Sequence, residues 1–145
     1  MKHDIRQLTL AADTLLEVSG RHKEIFTPEM MVEDPFYRIT SADGVLELNG
    51  SEAVQEFYQS LIDSQSTVML LEHENIIVND WGFASEALFH SFIPAETAIM
   101  NGHEVPDKNA NYIESRWVCM MWPYDEAGRM IGERVYQAPT ASLEK

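Results

Sequence analysis

Cysteine is nearly absent from this chain: Cys119 is the only one in 145 residues. No disulfide can close within the chain, and a reducing compartment suits it. Basic residues are also scarce, 10 against 24 acidic ones, for a net charge of -14. That balance repels polyanions, so neither nucleic acid nor an anionic membrane is expected as a partner. No apolar run reaches the length of a membrane span, and the opening Met1-Lys2-His3-Asp4 leads into mixed polar and apolar residues rather than the core of a signal peptide. A cytoplasmic protein is expected. There is no His-x-x-x-His pair and no cysteine cluster, so no metal site is expected. Gly-x-Gly-x-x-Gly, a phosphate loop and a Gly-x-Ser-x-Gly elbow are missing too. These absences speak against nucleotide cofactors and serine hydrolysis, and no cofactor is expected. Internal repeats and low-complexity tracts are lacking as well.

What remains is 45% hydrophobic sequence, enough for one domain over 1–145 that buries about two-thirds of its unfolded surface. Asp4 can cap a helix in which Ile5, Leu8, Ala12, Leu15 and Leu16 recur at helical spacing up to Ser19-Gly20. A second, shorter helix is predicted over about Arg21 to Met31, broken near Pro28. A third opens at Ser51 as its cap and carries Val54, Phe57, Tyr58, Leu61 and Ile62 on one side. From Ser66 the period changes to two. Thr67 to Val78, Phe83 to Ile93, Tyr112 to Tyr124 and Arg129 to Gln137 read as an antiparallel meander, the last two runs joined by an Asp125-Glu126-Ala127-Gly128 turn. Between the second and third runs, Pro94 to Asn111 suggests a hairpin or flap. Apolar residues on both strand faces predict helices on one and a partner subunit on the other. Phe83, Ala87, Phe89, Trp117 and Cys119 are assigned to the outer face, and a homodimer through it is expected.

Val32-Glu33-Asp34-Pro35-Phe36 sits where the helical part gives way to the strands. Proline pushes the residue before it out of the helical region. Asp34 is therefore expected on extended backbone, as a structural turn carboxylate or as a general base raised by partial burial.

That segment, followed by Gly50, Phe57-Tyr58, Asp125-Glu126-x-Gly128-Arg129 and Tyr136, resembles bacterial ketosteroid isomerase and the wider SnoaL-like polyketide cyclases of the NTF2-like superfamily. The resemblance implies an α+β, cystatin-like cone, with three N-terminal helical segments packed on a curved, mostly antiparallel sheet. It puts Asp34 where that family keeps its proton-shuttling carboxylate, and Tyr58 on a tyrosine that supports the oxyanion hole. The family's two oxyanion donors fall near Leu10 or Asp13 and on Met120, so steroid isomerisation itself is not predicted.

The same alignment puts Ala84, Glu86, Leu88 and His90 on the pocket face of one strand and Glu114, Arg116, Val118 and Met120 on that of the next. Pairing Tyr124 with Arg129 would set Met120 opposite Glu133, and Val118 opposite Val135. Glu133 would then stand beside the vacant acid position, where an apolar wall raises proton affinity and a protonated carboxyl can donate to an oxyanion. His90 is a candidate proton donor or a satisfied core histidine, whereas His3, His22, His73 and His103 are assigned to the surface. The charged set Glu86, Glu114, Glu133 and Arg116 reads equally as an internal ion-pair network.

The expected function is cofactor-independent acid-base chemistry on a largely apolar small carbonyl or polyketide-like metabolite: isomerisation, cyclisation or dehydration. Asp34, His90, Glu133 and Tyr58 are its candidate catalytic residues. Glu86, Leu88, Arg116, Val118, Met120 and Val135 are its candidate substrate contacts. The alternatives are a non-catalytic module that binds a small ligand or a protein, and epoxide hydrolysis, which needs a water held between an acid and an arginine.

Overall fold

The computed structural model describes residues 26–145. The helix predicted from Asp4 to Gly20, and the start of the one after it, lie outside the described residues. Where the second helix should end there is a turn instead: the N–H groups of Met30 and Met31 both donate to the carbonyl of Thr27, at 3.0 and 2.9 Å. The sheet takes the backbone from there, with Met130 N–H donating to the Met30 carbonyl at 2.7 Å. Strand pairing has overridden a helical pattern that Pro28 already weakened.

Seven strands follow: β1 (Met31–Ser41), β2 (Gly44–Asn49), β3 (Met69–Asn79), β4 (Gly82–Pro94), β5 (Asn111–Pro123), β6 (Met130–Gln137) and β7 (Ser142–Glu144). Their order in the sheet is β2-β1-β6-β5-β4-β3, with β7 pairing β5 off that path. Among the described residues only the β1–β6 pair is parallel. Asp34 is on extended backbone, as the following proline requires. The four long predicted runs match β3 to β6 to within two residues at each end, because β-branched and aromatic residues dominate them.

Among the described residues there are two helices, α1 (Gly50–Asp63) and α2 (Ala95–Met100). The sequence predicts only α1. Its cap is not Ser51 but Asn49, which makes no side-chain capping bond. Ser51 Oγ donates instead to the Glu33 carbonyl at 2.7 Å, sewing the helix start to β1. Val54 and Tyr58 are the buried residues of α1. They join a core of Tyr37, Phe83, Val118, Met120, Trp122, Tyr124, Met130 and Val135 on one face of the sheet. Each large side chain buried there contributes roughly 2 kcal/mol.

The turn from β5 to β6 is tied by its own charges. Asp125 accepts from the Arg129 N–H and from its guanidinium at 2.8 to 2.9 Å. Partial burial pushes the Asp125 carboxyl up, but those donors outweigh it and hold the group below the usual carboxylate range. A carboxyl depressed in this way stabilises the fold above its unfolded pKa, about 4, and the contribution fades as pH falls through the folded value.

Candidate active site

Between α1 and the inner face of the sheet lies a cavity of about 560 Å³. Tyr37 and Ile39 of β1, Phe57, Tyr58 and Leu61 of α1, and Glu133 and Val135 of β6 line it. From β5 come Glu114, Arg116, Val118 and Met120. Alternation explains the set: residues two apart on a strand share a face.

The register corrects one strand by a single residue. Met120 faces Ser85, Val118 faces Ala87, Arg116 faces Phe89 and Glu114 faces Ser91. Residues directly opposite share a face, so β4 turns its odd-numbered residues inward, and Phe89 and Ser91 line the cavity. Glu86, Leu88 and His90 lie instead on the outer face, opposite Cys119, Trp117 and Ser115. A slip of one residue flips every side chain. The outer patch changes with it: Phe83 and Ala87 are fully buried in the core and Phe89 packs against it, whereas Trp117 and Cys119 do face outward.

His90 is thus no part of the cavity. Its Nδ1 is 2.7 Å from Ser115 Oγ. Its Nε2 stands 3.3 Å from a Glu72 carboxylate oxygen without a hydrogen bond between them. Asp34 is exposed on β1, and its Oδ1 lies 3.9 Å from where a Cβ on Gly50 would stand. It is not among the residues that line the cavity.

Glu133 is in the cavity wall and 6% exposed. The pairing that puts it there differs by two residues from the predicted one: Met120 faces Val135, and Val118 faces Gln137. A shift of two preserves the face, so the prediction of an inward Glu133 survives the wrong partner. On its other side β6 pairs in parallel with β1, which sets Glu133 against Tyr37. The Tyr37 and Tyr58 rings meet edge to face, with centroids 6.1 Å apart. Tyr58 also touches Phe26 and Phe57 at 5.8 Å each.

At the opposite end of the cavity, Glu114 is buried and fully engaged. One oxygen accepts from Asn101 at 3.0 Å, and the other meets His103 Nε2 at 2.8 Å and Arg116 at 3.5 Å. Arg116 also donates to the Ala138 carbonyl at 3.1 Å. His103 is therefore a bridging residue and not the surface histidine its loop position suggests. Only its placement just beyond α2 reveals this, and sequence periodicity carries no such signal.

The segment from Pro94 to Asn111 is a packed cap rather than a hairpin. Ala95 and Ala98 of α2 are buried with Ile93 and Tyr112 in a second small core. Thr97 Oγ1 donates to the Ser64 carbonyl at 2.6 Å, linking α2 to the end of α1. Amide exchange at Ala95, Asn101 and His103, whose N–H groups donate to the carbonyls of Ala110, Thr97 and Ala98, should therefore be slow in the ligand-free protein, within about tenfold of β4 and β5. Exchange at the rate of an open loop would instead restore a moving flap.

Among the described residues, no group of three or more His, Cys, Asp or Glu converges as a metal site would require, and no helix is long and apolar enough to cross a membrane. No protein-family model and no curated protein sequence matches the chain. Solved structures do. A candidate polyketide cyclase from Xanthomonas campestris pv. campestris is 15% identical over 94% of this chain and 92% of its own, with a TM-score of 0.65. The epoxide hydrolase/cyclase-like enzyme SalBIII, of pyran ring formation in the polyether salinomycin, is 13% identical over 95% of each chain, with a TM-score of 0.63. A steroid delta-isomerase from Pseudomonas aeruginosa is 12% identical over 93% of this chain and 80% of its own, with a TM-score of 0.56. The chain therefore has the NTF2-like fold, the α+β architecture that these cyclases and this isomerase share.

Proposed function

We propose that the chain is a cofactor-independent acid-base enzyme that moves a proton at a carbon next to a carbonyl, in a small and largely apolar molecule held in the cavity. The observation that supports this reading is Glu133, a carboxyl group 6% exposed in a wall it shares with Tyr37, Tyr58, Met120 and Val135. A carboxyl group in the wall of such a cavity is placed to take a proton from a bound molecule and to return it. In this reading Glu133 takes and returns the proton. Tyr58 steadies the oxygen on which charge develops, as an oriented donor in a water-poor site does.

The residues around the cavity argue for this division of roles over its rivals. Asp34, the base implied by resemblance to ketosteroid isomerase, is exposed and off the cavity wall, and His90 faces the other way. Epoxide opening would need a water between an acid and a guanidinium, but Arg116 is already held between Glu114 and the Ala138 carbonyl.

The test is exchange of the substrate's own carbon-bound hydrogen. Small molecules retained through purification would be identified by mass spectrometry, then incubated with the protein in heavy water. Deuterium entering next to the carbonyl is the expected result. Retained ligand with no exchange would favour the binding module.

We propose further that two copies associate through the outer face, where Leu70, Ile77 and Trp117 are 51%, 71% and 44% exposed. Single apolar residues on a surface are ordinary, but several large ones exposed on one sheet face are the kind of patch a second copy covers. Sedimentation at micromolar concentration should give about twice the 16.6 kDa of the chain. A species of single-chain mass alone would remove the dimer.

A further inference from the structure

The cavity has two polar ends of different character. Glu133 is level with Met121 and Trp122, because Met120 faces Val135 and Met121 faces Arg134 across β5 and β6. Arg116 and Glu114 lie further back along β5, and about five to eight residues of strand put them on the order of 15 to 25 Å from that level. Between the two ends the wall is Val118, Met120, Val135 and Phe89. The space is thus long, apolar in its middle and polar at both ends.

The Arg116 end is built rather than incidental. The contacts from Arg116 to Ala138 and Glu114 fix the guanidinium at two points, using two of the five N–H groups such a group carries. Glu114 is a positioning residue: both its oxygens are engaged, by Asn101, His103 and Arg116. A guanidinium fixed in this way has already lost the side-chain freedom that binding would otherwise cost. Charge decides what it takes. The Arg116 cation stands beside the Glu114 anion, Asp43 adds a second carboxylate to the cavity lining, and Asn101 and Gln137, which line the same end, are neutral. That end is polar without a net positive charge, in a chain of net charge -14, so a carboxylate gains little there.

We infer that Arg116 is a second recognition point, which takes a neutral hydrogen-bond acceptor, and that the substrate is an elongated apolar chain with a carbonyl at each end. One carbonyl is the reacting one near Glu133 and the other anchors at Arg116. This rests on reading the cavity as the substrate site.

Three straight-chain fourteen-carbon probes test it, by displacement of a neutral fluorescent dye from the cavity: a ketone at each end, a ketone at one end, and a carboxylic acid at one end with a ketone at the other. The diketone should bind wild-type protein about tenfold more tightly than either competitor. In Arg116→Met the advantage should shrink to within about twofold. Arg116→Lys keeps the charge beside Glu114 but loses the planar fork, and it too should lose most of the advantage while melting close to wild type. Glu133→Gln should keep the preference intact, which separates failure of the anchor from failure of the proposed chemistry. A wild-type protein that binds monoketone and diketone equally, or neither, overturns the inference. So does a diketone preference that survives in Arg116→Lys, and a tighter grip on the keto acid reassigns the end to anions and overturns the neutral acceptor.

Discussion

A Gly132→Ala protein should be destabilised by about 3 kcal/mol or more, a fall of roughly 10 °C in melting temperature for a chain of this size. Gly132 lies on β6 opposite Phe36 of β1, where the register between the two strands shifts. A Cβ on Gly132 would run into the backbone oxygen of Phe36, and would stand 2.7 and 2.9 Å from its carbonyl carbon and amide nitrogen. Backbone cannot swing aside as the end of a flexible side chain can. The parallel pair would have to part at the point where it brings Glu133 against Tyr37. Gly102→Ala is the control, since Gly102 sits at a φ of +88° and a Cβ added there would meet nothing within 4 Å. There only the left-handed conformation is penalised, at about 1 kcal/mol. Thermal melts of the two variants separate close approach from conformation. Equal losses would mean that the strands can separate freely at Gly132.

The same strand pair shows what the sequence could and could not reveal. Strand content was legible because Thr67 to Val78 and the runs after it concentrate β-branched and aromatic residues, and because Asp125 to Gly128 supply a turn. The α+β class was legible from one helix ahead of a long run of strands and from the spacing of Asp34-Pro35, Phe57-Tyr58 and Gly128-Arg129, but the three N-terminal helical segments were not borne out: among the described residues the second ends in a turn at Thr27 to Met31. The inward face of β5 was legible too. The face of β4 was misassigned although Glu86 and His90 alternate with Phe83, Ala87 and Phe89: period two alone would turn the charged residues outward, and alignment to the resembled family turned them inward instead. His90 then fell on the wrong side with the rest of its strand. Glu133 survived a wrong partner because its register error was two. The engagement of Glu114 by His103 and Asn101 depends on how the chain returns from α2 to β5, a long-range contact that no local pattern encodes. α2 itself is six residues long, too short for helical periodicity to declare itself.

The largest functional effect is expected at Glu133. Glu133→Gln keeps the volume of the side chain and its capacity for hydrogen bonds, but removes the group that can take up and release a proton. Turnover of the retained compound should fall by roughly 10²-fold or more, which corresponds to about 2.7 kcal/mol of lost transition-state stabilisation. Affinity for that compound should stay within a few fold, since the shape and polarity of the wall are kept. Melting temperature should change little, because the amide keeps the volume and the hydrogen-bonding capacity of the carboxyl group, whereas Glu133→Ala would leave a void in the cavity wall and cost about 2 kcal/mol or more. Asp34→Asn is the companion measurement. Asp34 is exposed and off the cavity wall, so its replacement should leave turnover within a few fold and stability within about 0.5 kcal/mol. The two variants thus divide the possibilities on one assay: loss at Glu133 alone supports the buried carboxyl as the proton carrier. Loss at Asp34 alone would return the role to the carboxylate implied by resemblance and require β1 to bring it into the cavity. Full activity in both would remove acid-base catalysis from this cavity and leave it as a binding site.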